Sequence, residues 1–132
     1  MRSCLEWGVH LRIVDATPPF VTFTTAMGTG RARWAGAEPP VVDRDYDVEL
    51  SLDVIADGDT TTASPPSVFA IAQDGDALVL QGFVEQVDED IFYLRLAADA
   101  LAMIDHAGGL ATGDWIALRC ASGDVELHPI DY

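Results

Sequence analysis

Apolar and polar residues alternate along much of this chain, and such alternation predicts β-strands with one buried face. The clearest run covers residues 46–55, and a second covers residues 5–13. Further alternating or apolar runs cover residues 20–25, 68–72, 78–88, 91–96, 115–120 and 125–130. The inward phase of the run at 78–88 shifts near Gly82, which predicts a β-bulge there. The segments between these runs are rich in Pro, Gly and Asp, which favour turns. The pattern therefore predicts a protein built mainly from short β-strands.

Two segments depart from alternation. Residues 26–40 contain several glycines and end in Pro39-Pro40, which predicts an irregular stretch. Residues 99–107 place Leu101 and Ile104 at helical spacing behind Asp99, a suitable N-cap residue. We therefore predict one short helix over residues 99–107.

From residue 46 onward the predicted order is strand, strand, strand, helix, strand, strand. This order resembles the OB-fold, a small Greek-key barrel. The resemblance implies a five-stranded barrel from about residue 46, preceded over residues 1–45 by an N-terminal β-hairpin and an irregular segment. A two-sheet β-sandwich is the alternative architecture. No repeat or shift in composition divides the chain, so we predict one domain over residues 1–132.

The charge balance is strongly one-sided. The chain of 132 residues carries 22 acidic residues against seven basic ones, all arginine, and has a net charge of −15. A field of this sign repels nucleic-acid phosphates and anionic lipids and attracts cationic surfaces. We therefore expect a basic protein partner and disfavour nucleic acid. A GC-rich genome or adaptation to high salt would produce a similar composition, so the charge alone does not establish its cause.

The sequence also suggests a compartment. No apolar run approaches the ~20 residues that a membrane-spanning helix needs. Charged residues interrupt the N-terminal apolar positions, which argues against a signal peptide and a membrane location. Cys4 and Cys120 match no paired spacing, and we expect both to be free thiols. These features together predict a cytoplasmic protein.

Local motifs for common chemistries are absent from the sequence. It contains no glycine-rich phosphate loop, no Gly-x-Ser-x-Gly, no Cys-x-x-Cys and no His-Glu-x-x-His. The histidines show no zinc-ligand spacing. Asp105-His106, and Glu126 with His128, are the remaining candidates for acid–base chemistry. We accordingly predict no catalytic residue, no metal site and no cofactor, and lean against an enzyme.

Arginines and aromatic residues give a sharper hypothesis. If alternate residues of the strands at 91–96 and 115–120 face inward, each outward face carries an aromatic residue and an arginine. Exposed aromatic residues beside arginine are typical of binding hot spots and of base-stacking platforms. The candidate binding surface comprises Tyr93, Arg95, Trp115, Arg119 and Trp34. In an OB barrel the third and fourth strands are not neighbours, so the two pairs are not expected to form one patch. Covering by the N-terminal hairpin is the alternative role for these aromatics.

Three functional hypotheses follow from these observations. The first is a non-enzymatic acidic binding module, an inhibitor- or immunity-type protein that acts on a basic protein partner. The second is an OB-like binder of nucleic acid or oligosaccharide, by analogy of fold alone. The third is a small enzyme or a barrel that encloses a small ligand. The charge and the lack of a catalytic motif favour the first.

Overall fold

The computed structural model describes residues 8–56, 61–63, 68–89, 91–97, 100–106 and 111–130. Within these ranges nearly all regular structure is β-strand, which confirms the predicted mostly β class. The strands are β1 (Gly8–Thr17), β2 (Phe20–Thr25), β3 (Gly28–Trp34), β4 (Asp45–Ala56), β5 (Thr61–Ala63), β6 (Ala70–Asp74), β7 (Ala77–Asp88), β8 (Ile91–Ala97), β9 (Ala100–His106), β10 (Trp115–Ala121) and β11 (Val125–Pro129). A 3₁₀ turn, Ser122–Asp124, joins β10 to β11.

Five strands close into a ring. The order is β1-β2-β3-β11-β4, and β4 pairs back onto β1 to complete the barrel. The β3–β11 pair is parallel, and the other four pairs of the ring are antiparallel. The predicted five-stranded barrel is thereby confirmed, and its closure favours a barrel over the two-sheet sandwich. The arrangement is consistent with an OB-like barrel.

The ring is assembled from different strands than the sequence suggested. We expected the barrel to begin at about residue 46, whereas β1, β2 and β3 supply three of its five members. The segment at 26–40 was expected to be irregular but contains β3. The N-terminal hairpin is therefore part of the barrel wall, and β5 to β10 are inserted between the fourth and fifth ring strands.

The predicted helix at 99–107 is wrong over the residues that the structure describes there. Ala100–His106 forms β9, which pairs antiparallel with β8 and parallel with β4. Ala100, Ala102 and Ile104 are buried in alternation. Because two of these inward residues are alanines, the strand periodicity is weak in the sequence and helix propensity dominates it.

The inserted strands extend the sheet beyond the ring. Beyond the residues that pair with β1, β4 pairs with β9, and the order then runs β9-β8-β7-β10-β5, with β6 on β7. We predicted a bulge in β7 near Gly82. Instead Leu78, Leu80, Gly82 and Val84 are buried in unbroken alternation, and the register shifts only after Val84.

One hydrophobic core spans the ring and the inserted strands. Phe23 of β2 and Leu78 of β7 meet at Gly30 of β3, where a Cβ atom would lie 3.0 Å from Phe23 and 2.5 Å from Leu78. Glycine at this position lets the two side chains approach the backbone of β3. The ring and the inserted strands therefore share buried apolar surface. Over the residues described, no helix has the length and apolar character needed to cross a membrane.

Candidate functional site

Three aromatic rings cluster on the outward face of the inserted strands. Phe83 and Trp115 have ring centroids 5.4 Å apart, and Phe69 lies 5.3 Å from Trp115 and 6.1 Å from Phe83. All three side chains are half-buried. We call Phe69, Phe83 and Trp115 the aromatic cluster. A partly exposed group of this kind has the composition of an interface hot spot.

Strand register explains how the aromatic cluster forms. Ile116, Leu118 and Cys120 fill the inward positions of β10, so Trp115 lies on the outward face. Trp115 pairs directly with Phe83 across β10 and β7. Phe69 precedes β6, and the Gln81 side-chain amide donates a 2.9 Å hydrogen bond to the neighbouring carbonyl of Val68. These contacts hold Val68 and Phe69, the residues that lead into β6, against the outward face of β7.

Four of the five sequence-predicted residues share this face. β7 lies between β8 and β10 and places Phe83 between Arg95 and Trp115 in one cross-strand row. Tyr93 lies at the outward position of β8 that precedes Arg95. Arg119 lies on the outward face of β10, two residues beyond Ala117. The expectation of two separate patches is therefore wrong, because β7 joins them into one.

Trp34 lies elsewhere, at the end of β3. Its ring packs edge-on against the ring of Tyr46, with 4.9 Å between the ring centroids. Its indole N–H donates a hydrogen bond of 2.9 Å to the backbone carbonyl of Glu38. It lines a small cleft of about 270 Å³ together with Phe20 and four prolines. The structure therefore separates Trp34 from the other four candidates.

Every arginine in the described part of the chain is already partnered. Four form ion pairs with carboxylates, and two lie over aromatic rings. The ion pairs are Arg12–Asp45 (2.7 Å), Arg33–Glu126 (3.5 Å), Arg95–Glu85 (3.2 Å) and Arg119–Asp74 (2.7 Å). The ring contacts are Arg31 over Phe20 (4.5 Å) and Arg44 over Tyr46 (5.4 Å). At the four ion-paired arginines a phosphate would have to compete with a carboxylate.

A larger cleft lies on the outward side of β4, β9 and β11. Its volume is about 540 Å³, within the ~300–1,000 Å³ range of ligand sites. Leu101, Met103 and Pro129 form apolar walls. Glu49 and His128 add polar groups to the lining. We refer to it as the β4–β9–β11 cleft.

The polar groups of this cleft do not form a hydrolytic triad. The Ser51 hydroxyl lies 3.3 Å from Nε2 of His128, and the Glu126 carboxylate lies 3.4 Å from the same nitrogen. In a Ser-His-Asp triad the carboxylate contacts Nδ1 and leaves Nε2 for the serine. A single nitrogen shared by both groups cannot relay a proton between them in that way.

Other reactive candidates are similarly constrained. Cys120 is a free thiol, as predicted, and burial raises its pKa to about 12, which suppresses the nucleophilic thiolate. Among the residues searched, no group of three or more His, Cys, Asp and Glu side chains could hold a metal ion. Cys4 and the side chains of Asp105 and His106 lie outside what the structure describes.

His10 bridges two carboxylates on the outside of the barrel. Its Nδ1 lies 2.9 Å from Asp47 and its Nε2 lies 3.5 Å from Asp45. The hydrogen bond to Asp47 is the main reason that the pKa of His10 is raised, with a contribution from Asp45. Arg12 holds the pKa of Asp45 below its usual range. These contacts join β1 to β4 at the closure of the ring.

The raised pKa of His10 predicts a pH-dependent contribution to stability. A group whose pKa is raised on folding stabilises the folded state fully below its ordinary value of 6.5, and this contribution is lost as the pH rises through the raised value. Because the side chain of His10 is 64% exposed, we expect its contribution to the free energy of unfolding to be less than about 1 kcal/mol. Urea unfolding of the wild type and His10→Gln, at about pH 5.5 and about pH 8.5, measures it. An unchanged difference between the two proteins at both pH values would contradict the prediction.

The sequence analysis missed two residues of the aromatic cluster, Phe69 and Phe83, and one of the β4–β9–β11 cleft, Glu49. The predicted bulge at Gly82 would turn Phe83 inward, so its place in the aromatic cluster was overlooked. Phe69 lies in a short apolar run in which no alternation indicates which side chains face outward. Glu49 was one acid among many. The unbroken alternation of residues 78–84 was the signal that could have identified Phe83.

Comparison of the chain with protein-family models, with curated proteins and with solved structures finds no significant match in any of the three.

Proposed function

We propose that this protein is an acidic protein-binding module that docks a basic partner on the outward face of the inserted strands. The aromatic cluster carries the proposal, because it is a partly exposed apolar centre on a chain of net charge −15. Aromatic anchors supply most of the energy in many interfaces, and charge complementarity supplies steering and specificity. An inhibitor- or immunity-type role is the most concrete form of this function.

The state of the arginines supports a protein partner over a nucleic acid. Arg95 and Arg119 flank the aromatic cluster, but each already pairs with a carboxylate. The face therefore offers an aromatic centre with neutralised cations, within a negative field. Stacking of bases on the rings would bring phosphates into that field without a free cation to receive them.

Truncation of the aromatic cluster tests the proposal. Immobilised protein is used to capture partners from extract of the source cell, and the affinity of the retained basic protein is then measured at low and moderate salt. Trp115→Ala is expected to weaken binding by about 2 kcal/mol or more, since it removes a central anchor. The affinity of the wild type should fall as salt rises.

Trp34→Ala is the matched control, because it makes the same substitution at a half-buried tryptophan outside the aromatic cluster. It should leave the affinity unchanged. Retention of no basic protein at either salt concentration would refute the proposal. Tight, salt-sensitive binding of a single-stranded oligonucleotide, measured by fluorescence anisotropy, would replace it with the nucleic-acid hypothesis.

A further inference from the structure

The β4–β9–β11 cleft has a chemistry that the aromatic cluster lacks. Its walls are apolar side chains of β9 and β11, and Leu101 is 7% exposed although it lies outside the main core. Met103 is 37% exposed and borders the same space. An apolar cleft with a carboxylate in its lining suits a ligand that combines a hydrocarbon stem with a terminal cation.

The carboxylate of Glu49 owes its availability to strand register. Three acids project outward in succession along β4, and β1 supplies their cross-strand partners: Asp45 faces Arg12, Asp47 faces His10, and Glu49 faces Gly8. The first two acids are paired with these partners. Glycine offers no side chain, and within the described residues Glu49 has no ion-pair partner where it lines the cleft.

Among the residues that the structure describes, the polar groups in and beside the cleft are engaged with partners other than Glu49. Glu126 is shared between His128 at 3.4 Å and Arg33 at 3.5 Å, which leaves little of its charge for a ligand. His128 faces Glu49 across β4 and β11, and its ring lines the cleft. The cleft therefore combines the Glu49 carboxylate, which is unpaired within the described part of the chain, with an imidazole ring and apolar walls.

This set of groups favours a guanidinium over an ammonium. A guanidinium can donate two parallel hydrogen bonds to one carboxylate and can stack on a planar ring. Its weaker hydration also lowers the cost of entering an apolar cleft. The methylene stem of an arginine would lie along Met103 and Leu101.

Strand register connects the β4–β9–β11 cleft to the aromatic cluster. One cross-strand row runs over four neighbouring strands and consists of Trp115, Phe83, Arg95 and Leu101. Leu101 belongs to the wall of the cleft, and Phe83 belongs to the aromatic cluster. They are two strands apart, which corresponds to about 10 Å. One partner could contact both sites at once.

We propose that the β4–β9–β11 cleft receives an arginine side chain of the basic protein partner, while the aromatic cluster docks an apolar patch about 10 Å away on the same partner. This inference rests on the proposed function and adds the chemical group that gives the basic partner its specificity. Glu49 is the carboxylate that binds the guanidinium.

The test uses the intact protein and a defined probe in place of the partner. The probe is the blocked tripeptide acetyl-Gly-Arg-Gly-amide, and its neutral counterpart carries citrulline in place of arginine. Binding is followed by NMR through the methyl group of Met103 and the ring of His128. The arginine peptide should shift both signals, and the citrulline peptide should shift neither.

Charge-matched variants identify the carboxylate. Glu49→Gln preserves shape and should weaken binding of the arginine peptide about tenfold or more, as expected for loss of a charged hydrogen-bond acceptor. Glu38→Gln removes the same charge from the exposed segment after β3 and should leave binding unchanged. Equal binding of the two peptides, or equal weakening by the two variants, would overturn the inference. Free agmatine that binds as tightly as the peptide would show that the cleft is a site for a small cation. It would overturn the proposal that the ligand is an arginine of a protein partner.

The outcomes also separate this inference from the proposed function. If the arginine peptide does not bind but a basic protein is lost on Trp115→Ala, the cleft assignment fails and the docking face stands. If the peptide binds through Glu49 but no basic protein partner is retained, the proposed function fails and a guanidinium site remains. The two experiments share no reagent other than the protein.

Discussion

Gly82→Ala is expected to destabilise the protein by roughly 3 kcal/mol or more. Gly82 lies in the middle of β7, and its buried side faces the backbone of β8. A Cβ atom built at this position would overlap the carbonyl oxygen of Arg95 and lie 2.9 Å from its carbonyl carbon. Backbone atoms cannot rotate aside as the end of a flexible side chain can. Relief would therefore require β7 and β8 to separate where they pair.

Gly123→Ala provides the matched control for this substitution. A Cβ atom there would lie 3.7 Å from the ring of Phe20, an ordinary van der Waals contact. We expect a change within about 0.5 kcal/mol, because the new methyl group meets neither backbone nor strain. Urea unfolding of the two variants measures both effects. A Gly82→Ala protein within about 1 kcal/mol of the wild type would show that β7 and β8 are not as close as the structure places them.

The same glycine explains one error of the sequence analysis. Alternation predicts strands well where every inward position carries a large apolar residue, as at Val48, Leu50 and Leu52 in β4. At Gly82 the inward position holds no side chain, so an unbroken strand looks like a change of phase. The requirement for glycine comes from the approach of β8, a contact between strands that a local pattern does not contain.

The misassigned helix has a related cause. In β9 the inward positions Ala100 and Ala102 are small, while the outward Leu101 and Met103 are apolar because they line the β4–β9–β11 cleft. Both faces are therefore apolar, and period-two alternation disappears. Alanine, leucine and methionine also favour helices intrinsically. Pairing with two neighbouring strands overrides this preference, and those neighbours are distant in the sequence.

The binding surface was predictable only in part. Outward placement of Tyr93, Arg95, Trp115 and Arg119 follows from alternation within β8 and β10 alone. The four residues share one face because β7 lies between β8 and β10. That order of strands in the sheet is not contained in the local sequence pattern. Likewise, Glu49 is visible in the sequence as an acid, but its lack of an ion-pair partner among the described residues depends on the register that sets Gly8 opposite it.

Phe23→Ala is expected to lower the free energy of unfolding by about 3–5 kcal/mol, the range for removing a fully buried phenylalanine. Phe23 belongs to the ring, yet its side chain meets Leu78 of the inserted strands at Gly30. The cavity would therefore weaken the packing of the ring and of the inserted strands together. We expect both to unfold in one transition, at a lower urea concentration than in the wild type.

Tryptophan fluorescence can follow the two parts separately, because Trp34 ends a ring strand and Trp115 begins an inserted strand. Single-tryptophan versions made with Trp→Phe changes should give coincident transitions, both shifted equally by Phe23→Ala. Phe83→Ala is the matched control: its ring is half-buried in the aromatic cluster, so the loss should be only about 1–2 kcal/mol. A Phe23→Ala protein in which the Trp34 transition moves while that of Trp115 stays would show that the two parts fold independently. The aromatic cluster would then stand on a unit whose stability does not depend on the barrel.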